Sequence, residues 1–410
     1  MSKLADLVIL GATGTTGRQA TRFLAAHPEH SKRWTLALAA RSKEKLEKMA
    51  SELSLPQSIR LVVINADDEA AVTELVKQTR VVLNTVGPYA KYGTTVVKAC
   101  VYNGIHYVDL SGDTFRIRQL IQEYHSEATK TGSIIVNACG FYSLPSDISV
   151  YIANKTLRSV NPSLETARSI TAITAKGILS SATLESMILV QKLPETVKRD
   201  MEREYCLSPS GRTIIGGGGS TGKPSRAIVH RSWGLFEQAA SLGKSYSTRY
   251  GPSLVYEECL ETGGTWSALA LSAFIGLFSW SLGILPLRWL LRKVVPGDGS
   301  ITDKQLEGGH FRSVNVTTSA PTSSHPEGVK VTVTFTGRGD PGYLLSSIFM
   351  AECALVLLDT ESLSDLAKQG GILTPATAGG DELVKRLQEN ERLSLVCEMG
   401  NRNIESRKSL

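Results

Sequence analysis

Between residues 6 and 137 the chain repeats one pattern, in which a short apolar run gives way to a polar turn and then to apolar positions at helical spacing. Asp6–Leu10, Trp34–Ala39, Arg60–Ile64, Arg80–Asn84, His106–Asp109 and Ser133–Asn137 read as strands of this series. Helical patterns over Glu69–Gln78, Thr94–Asn103 and Phe115–Thr131 fall between them. Strand and helix in regular alternation predict an α/β, Rossmann-like, doubly wound parallel sheet. From about Pro145 the pattern changes. Asp147–Leu157 is helical, and Ser169–Lys176, Arg226–Trp233, His310–Thr318 and Val329–Thr336 alternate as half-buried strands do. Long serine-rich and glycine-rich connections separate them, which predicts an inserted α+β domain built on an antiparallel sheet. Helices are expected again over Leu344–Thr360 and Gly379–Gln388, returning to cover the first sheet. The expected division is 1–147, 148–343 and 344–410.

The first strand runs into Gly11-Ala-Thr13-Gly14-Thr15-Thr16-Gly17 and then into a helix. One glycine permits the tight turn, one lets backbone approach a diphosphate and one lets helix pack closely on strand. Free N–H groups and the helix dipole at that end favour an anion, and the threonine hydroxyls at 13, 15 and 16 add donors. The spacing is Gly-x-x-Gly-x-x-Gly rather than Gly-x-Gly-x-x-Gly. At the end of the second strand a site for NADH carries an acid for the ribose hydroxyls. Here no acid lies between Glu29 and Glu44, and Arg41 and Ser42 occupy the place. A guanidinium there binds a 2′-phosphate while lying over the adenine, so NADPH is expected over NADH. Asp67 closes the third strand where the adenine edge is met. Asn84, Val86, Gly87, Pro88 and Tyr89, after the fourth strand, and Gly112, after the fifth, are the expected contacts of the diphosphate and nicotinamide ribose.

Composition narrows the field. The 410 residues carry 20% charged and 42% hydrophobic side chains and a net charge of +6 with no long basic run, which gives no case for nucleic acid. Six cysteines stand singly and the seven histidines show no metal-ligand spacing, so neither disulfides nor a metal is expected. The N-terminus lacks the basic-then-apolar pattern of a secretory signal, and Arg407-Lys-Ser-Leu410 has the peroxisomal letters in the wrong order; a cytoplasmic protein is expected. Gly217-Gly-Gly-Ser-Thr-Gly222-Lys223 nearly matches a nucleotide-triphosphate loop, but Pro224 stands where a hydroxyl holds magnesium. Trp266–Leu291 is different in kind. No charge lies between Glu261 and Arg288, a length that spans a bilayer as one helix at roughly 1.5 Å per residue. A single crossing would separate halves the sheet needs together, and Gly283 and Pro286 invite a break. Two readings stay open: a hairpin dipping into one leaflet at the endoplasmic reticulum or a lipid droplet, with Arg288, Arg292 and Lys293 at the headgroups, and a buried helix pair or homodimer contact.

Gly11-Ala-Thr-Gly14-Thr-Thr-Gly17, Ala40-Arg41, Asn84-Thr-Val-Gly-Pro-Tyr89, Tyr92-Gly93, Tyr107-Val-Asp-Leu-Ser-Gly112 and Gly140-Phe-Tyr-Ser-Leu-Pro-Ser-Asp147 together resemble the saccharopine dehydrogenase-like oxidoreductases. The branch they look like holds trans-acting enoyl reductases and animal lipid-droplet members. Pro296-Gly-Asp-Gly299, Gly337-Arg-Gly-Asp-Pro-Gly342 and Gly370-Gly-Ile-Leu-Thr-Pro375 extend the likeness over most of the chain. It departs at Tyr142, where the family has an acid, and at Ser180-Ser181, where it has a glycine pair. The resemblance implies an NADP-dependent oxidoreductase that reduces a carbon–carbon double bond of an unsaturated acyl or polyketide-like, lipid-like substrate. Two alternatives remain: a saccharopine-type imine or amino-acid dehydrogenase, and a non-catalytic lipid-surface protein retaining the nucleotide fold. For the enolate formed on hydride transfer, Tyr89, Tyr142 and Asp113 are the candidate donors.

Overall fold

The computed structural model describes residues 3–179, 184–185, 187–188, 223–243, 248–261, 265–295 and 301–400. Ser180-Ser181, Cys206, the glycine-rich stretch up to Gly222, Pro296–Gly299 and Arg407–Leu410 lie outside the described residues.

The chain opens with β1 (Leu7–Leu10), α1 (Thr15–Ala25), β2 (Leu36–Ala40), α2 (Lys43–Glu52), β3 (Arg60–Val63), α3 (Glu69–Val76), β4 (Val81–Asn84), α4 (Tyr89–Tyr102), β5 (His106–Asp109), α5 (Thr114–Thr131) and β6 (Ile134–Val136). β1, β2 and β4 are buried from end to end because helices cover both faces, with Leu7 and Ile9 in one apolar layer and Val8 and Leu10 in the other, whereas β3 at the sheet edge is largely exposed. Burying each such side chain contributes roughly 1.5–3 kcal/mol, which is why near-continuous apolar runs specify strands here. The helices begin where the local chemistry allows. The Ser42 side chain accepts from Lys45 N–H, Asp68 from Ala71 N–H and Asp113 from Arg116 N–H.

There follow α6 (Leu144–Val160), β7 (Thr166–Lys176), α7 (Lys223–Ser241), β8 (Val255–Leu260), α8 (Thr265–Ser281), α9 (Leu285–Val294), α10 (Asp303–Glu307), β9 (His310–Ser319) and β10 (Lys330–Arg338). A π-turn over Pro341–Leu345 then leads into α11 (Ser346–Leu358), α12 (Asp365–Lys368), β11 (Gly371–Leu373), α13 (Pro375–Glu389) and β12 (Leu393–Met399).

Seven parallel strands form the first sheet in the order β11-β6-β5-β4-β1-β2-β3. The order reverses between β1 and β4, so the crevice for a ligand opens at their carboxyl ends. The second sheet runs β12-β10-β9-β7-β8. Its interior pairs are antiparallel, as the alternation predicts, but β8 joins β7 in parallel register, Arg168 against Val255, so the sheet is mixed. Arg226–Trp233 is not a strand. It lies within α7, where Ala227, Ile228, Val229, His230, Ser232 and Trp233 are all buried. A helix wedged between the two sheets is covered on several sides, and its sequence then carries no clean helical stripe.

The segment after residue 344 gives one strand to each sheet, and α11, every residue of it buried, runs between them. Phe349 of α11 stacks edge-on to Phe311 of β9 at 6.1 Å and tilts against Phe335 of β10 at 5.9 Å. Ser347 Oγ donates to the Thr16 carbonyl at 2.9 Å, tying that helix to the first turn of α1. Pro341–Leu358 is long and apolar enough to cross a membrane, yet 94% of it is buried in the protein core. α8 and α9 behave oppositely. They bend by 107° across Leu282–Ile284 and expose Trp266, Phe274, Leu277, Trp280, Leu285 and Trp289, each more than half open.

Candidate functional site

The crevice is built by glycines doing two different jobs. Gly11 holds φ +88°, and a Cβ on it would stand 2.7 Å from Thr85 Oγ1. A Cβ on Gly17 would stand 2.3 Å from the Gly11 carbonyl and 2.8 Å from Ala12 Cα. Those two positions let α1 press onto the turn and the turn onto β4. Gly14, Gly87 and Gly112 are different: a Cβ on Gly14 would meet nothing nearer than the Gly11 oxygen at 3.5 Å, and at Gly87 and Gly112 nothing within 4 Å. These three line open space at the carboxyl ends of β1, β4 and β5. Gly14 is the N-cap of α1, contributes no side chain, and no acid follows in the first turn, so the positive end of the helix faces that space. A dinucleotide diphosphate fits over this floor, with the half-buried Thr13, Thr15 and Thr16 around it.

At the tip of β2, Arg41 is exposed while the Ser42 hydroxyl caps α2, accepting from Lys45 N–H at 3.3 Å. Asp67 is exposed beyond β3, in a turn held by its N–H to Asn65 Oδ1 at 3.3 Å. Sequence reasoning missed Lys91, in the first turn of α4. Its ammonium donates to Tyr92 OH at 2.9 Å, and this bond first, with the Asp67 carboxylate adding to it and the Arg41 guanidinium opposing, holds its pKa above the ordinary lysine value. Arg41, Asp67 and Lys91 therefore share one rim of the crevice. The signal for Lys91 was its place one turn into the helix that follows Gly87-Pro88.

Three loops meet at the other end, and one carboxylate holds them. Asp109, fully buried, accepts from Tyr107 OH at 2.9 Å, Asn137 Nδ2 at 2.9 Å, Ser111 N–H at 3.0 Å and Ala138 N–H at 3.3 Å, and pairs with buried Arg116 at 3.3 Å. Tyr107 OH in turn accepts from Asn84 Nδ2 at 3.0 Å, and Asn84 Oδ1 accepts from Val86 N–H at 3.0 Å. Asn84 thus works through the loop rather than at its surface. The Gly87–Pro88 peptide is cis. Asp109 stands in a stretch that carries the family resemblance, but no spacing rule marks an aspartate at a strand end as a hub for three loops.

The candidate donors sort differently from their sequence setting. Tyr89 is the first residue of α4, not part of a loop, and its hydroxyl donates to the Asn84 carbonyl at 3.0 Å. Burial first, and the Asp109 carboxylate next, hold its phenol well above the ordinary tyrosine range. Asp113 caps α5, accepting from Arg116 N–H at 3.0 Å. Tyr142, in the turn after β6, has an exposed ring, and its carbonyl accepts from Ser225 Oγ of α7. Among the described residues no group of three or more His, Cys, Asp or Glu is placed to hold a metal ion.

Comparison with known proteins agrees with this geometry. Residues 7–136 match the family model of the saccharopine dehydrogenase NADP binding domain, and the cofactor is NADPH or NADP. The chain is 31% identical over 422 residues to a trans-acting enoyl reductase of Mycobacterium tuberculosis, covering 93% of this chain and 95% of that protein. It is 31% identical over 424 residues to a trans-acting enoyl reductase of Mycobacterium ulcerans, covering 94% and 96%. In fold it is similar to apo saccharopine dehydrogenase (L-Glu forming) from Saccharomyces cerevisiae, with a TM-score of 0.55 over 97% of this chain and all of that one, at 14% identity.

Proposed function

We propose, for a chain that belongs to the family of the trans-acting enoyl reductases and is an NADPH-dependent oxidoreductase, that it reduces the carbon–carbon double bond of an unsaturated acyl or polyketide-like substrate. The observation that carries this reading is the pairing of an open glycine floor at Gly14, Gly87 and Gly112 with Arg41 at the tip of β2. Bound there, NADPH supplies the hydride. The chain's own part is to seat the diphosphate on the α1 N-terminus, to take the 2′-phosphate on Arg41 with Lys91 beside it, and to orient the nicotinamide through the loops that Asp109 holds. Tyr142 is the donor candidate whose hydroxyl has no hydrogen bond among the described residues, and it serves the enolate oxygen. NADPH consumption is measured with a crotonyl thioester, with a keto acid plus an amino acid, and with no substrate. Oxidation with the thioester alone is expected; oxidation only with the keto acid pair would move the assignment to imine reduction.

A second reading concerns where the enzyme works. The α8–α9 hairpin serves as an interfacial membrane anchor, at the endoplasmic reticulum or a lipid droplet. What supports this is the exposed aromatic and aliphatic face, larger than a soluble surface ordinarily leaves open, with Arg288 and Lys293 at its end and the Lys293 ammonium 3.7 Å over the Trp289 ring. Flotation of the full chain with vesicles of anionic and of neutral phospholipid tests it. Capture by anionic vesicles, lost when Trp280 and Trp289 become serine, is expected. A protein that ignores both vesicles and sediments as a dimer would assign the face to a second copy.

A further inference from the structure

Glu258 lies on β8, the edge strand of the second sheet, and three hydroxyls converge on its carboxyl group. Oε2 accepts from Ser146 Oγ at 2.7 Å and Tyr256 OH at 2.8 Å, while Oε1 stands 3.0 Å from Ser225 Oγ. Ser225 Oγ is also hydrogen-bonded to the Tyr142 carbonyl. A proton count decides the pattern. A carbonyl only accepts, and a serine has one hydroxyl hydrogen. Ser225 has one hydrogen for two acceptors, the Tyr142 carbonyl and Oε1, so a full hydrogen bond at each is made only when the carboxyl group carries a hydrogen of its own. On the other side Asn315 Nδ2 donates to Thr171 Oγ1 at 2.9 Å, and Tyr256 OH, whose contact with Oε2 is the shorter one, also lies 3.1 Å from Thr171 Oγ1.

We propose that Glu258 is a positioning residue that works as a neutral carboxylic acid, donating to Ser225 and through it fastening the Tyr142 turn to the second sheet. The proposal rests on the reading of Tyr142 as bordering the reacting end of the cofactor, and it adds what holds that tyrosine in register. The surroundings suit a neutral acid. Burial holds the Glu258 carboxyl above the ordinary glutamate range against the pull of Arg226 on α7, the cation that faces it. Of the other charged groups nearby, Glu257 is engaged with Arg168 at 2.6 Å and Glu261 with Arg312 at 3.1 Å. Cys259, next in the strand, has its thiol pushed up by burial. Asp147, next to Ser146 on α6, turns to Ser232 and Ala376 N–H.

Glu258→Gln discriminates, because an amide donates to Ser225 from nitrogen and accepts from Ser146 and Tyr256 at oxygen, reproducing the neutral acid. Glu258→Ala and Ser225→Ala break the link. Infrared difference spectra of wild type against Glu258→Gln at neutral pH are expected to contain a carboxylic-acid carbonyl stretch, lost from wild type as pH rises. Hydrogen exchange over residues 138–144 is expected to quicken by about tenfold in Ser225→Ala and Glu258→Ala and to stay at the wild-type rate in Glu258→Gln, as loss of one hydrogen bond to a turn implies. With the crotonyl thioester, kcat should fall about tenfold or more in the broken variants at unchanged NADPH affinity, and recover in Glu258→Gln. A carboxylate band in place of the acid band, or equal exchange in all variants, would overturn the proposal. If Glu258→Ala does not fold, Ser225→Ala carries the broken arm. Absence of NADPH binding in wild type would sink the functional reading and leave the infrared and exchange tests of Glu258 standing.

Discussion

Gly14→Ala and Gly17→Ala, three residues apart, should damage the protein in opposite ways. Gly14 has φ −75° and ψ 166°, a conformation alanine adopts freely, and the nearest atom to its added Cβ is 3.5 Å away. Exchanging a glycine N-cap for alanine costs the helix about 0.5–1 kcal/mol, so Tm should fall by roughly 1–4 °C. The methyl group, however, stands on the floor where a diphosphate must come close to backbone N–H groups. Losing two such charge-assisted hydrogen bonds, at roughly 1.5–3 kcal/mol each, weakens NADPH binding by about a hundredfold or more. At Gly17 the added Cβ meets the Gly11 oxygen at 2.3 Å, Ala12 Cα at 2.8 Å and Thr85 Oγ1 at 2.8 Å. Two of these are backbone and cannot turn aside, so overpacking costs on the order of 1–3 kcal/mol or more. Differential scanning fluorimetry and NADPH fluorescence titration on the same samples read both axes. Gly14→Ala with native stability and native NADPH affinity would refute the assignment of that floor to the cofactor.

Other outcomes follow from single groups. Arg41→Ala should weaken NADPH binding by about tenfold to a hundredfold while leaving NADH unchanged, as loss of a charged phosphate contact implies; an equal loss for both, measured by titration, would remove Arg41 from the 2′-phosphate. Asp109→Asn keeps its shape but leaves buried Arg116 without its anion, at a cost of about 3–5 kcal/mol, and thermal unfolding with NADPH present and absent should show both stability and cofactor affinity reduced. Asp147 is held by burial at a pKa of about 7 against its ordinary 3.8, so its contribution to stability is complete below pH 3.8 and lost as pH climbs to about 7. Asp147→Asn should therefore gain on wild type across that window, by on the order of 4 kcal/mol at most. His106 and His125, pushed down to about 4 by burial, act in the opposite direction between pH 4 and 6.5 in both proteins, so denaturant midpoints are compared as a difference.

Local order alone determined six strands of the first sheet, the glycine turn and the cofactor, while the seventh strand, β11, came from the C-terminal segment where only helices were expected. Strand runs buried on both faces announce themselves by continuous apolar residues, Gly11, Gly14 and Gly17 by their spacing, and the preference for NADPH by the arginine where an acid would stand. Each of these is a property of neighbours in sequence. Tertiary structure decided what depends on neighbours in space. α7 lies between two sheets and is buried on several sides, so its pattern imitated a strand. β8 entered the second sheet in parallel register because the chain returns to that edge from the far side. Tyr89 and Asp113, both plausible acids by position, are turned to the Asn84 carbonyl and the α5 N-terminus. Asp109 and Glu258 gain their meaning from partners far away in the chain, through Asn84 in the one case and Ser146, Ser225 and Tyr142 in the other; hydrogen-bond direction among buried groups is set by which atoms the fold brings together, and no periodicity encodes it.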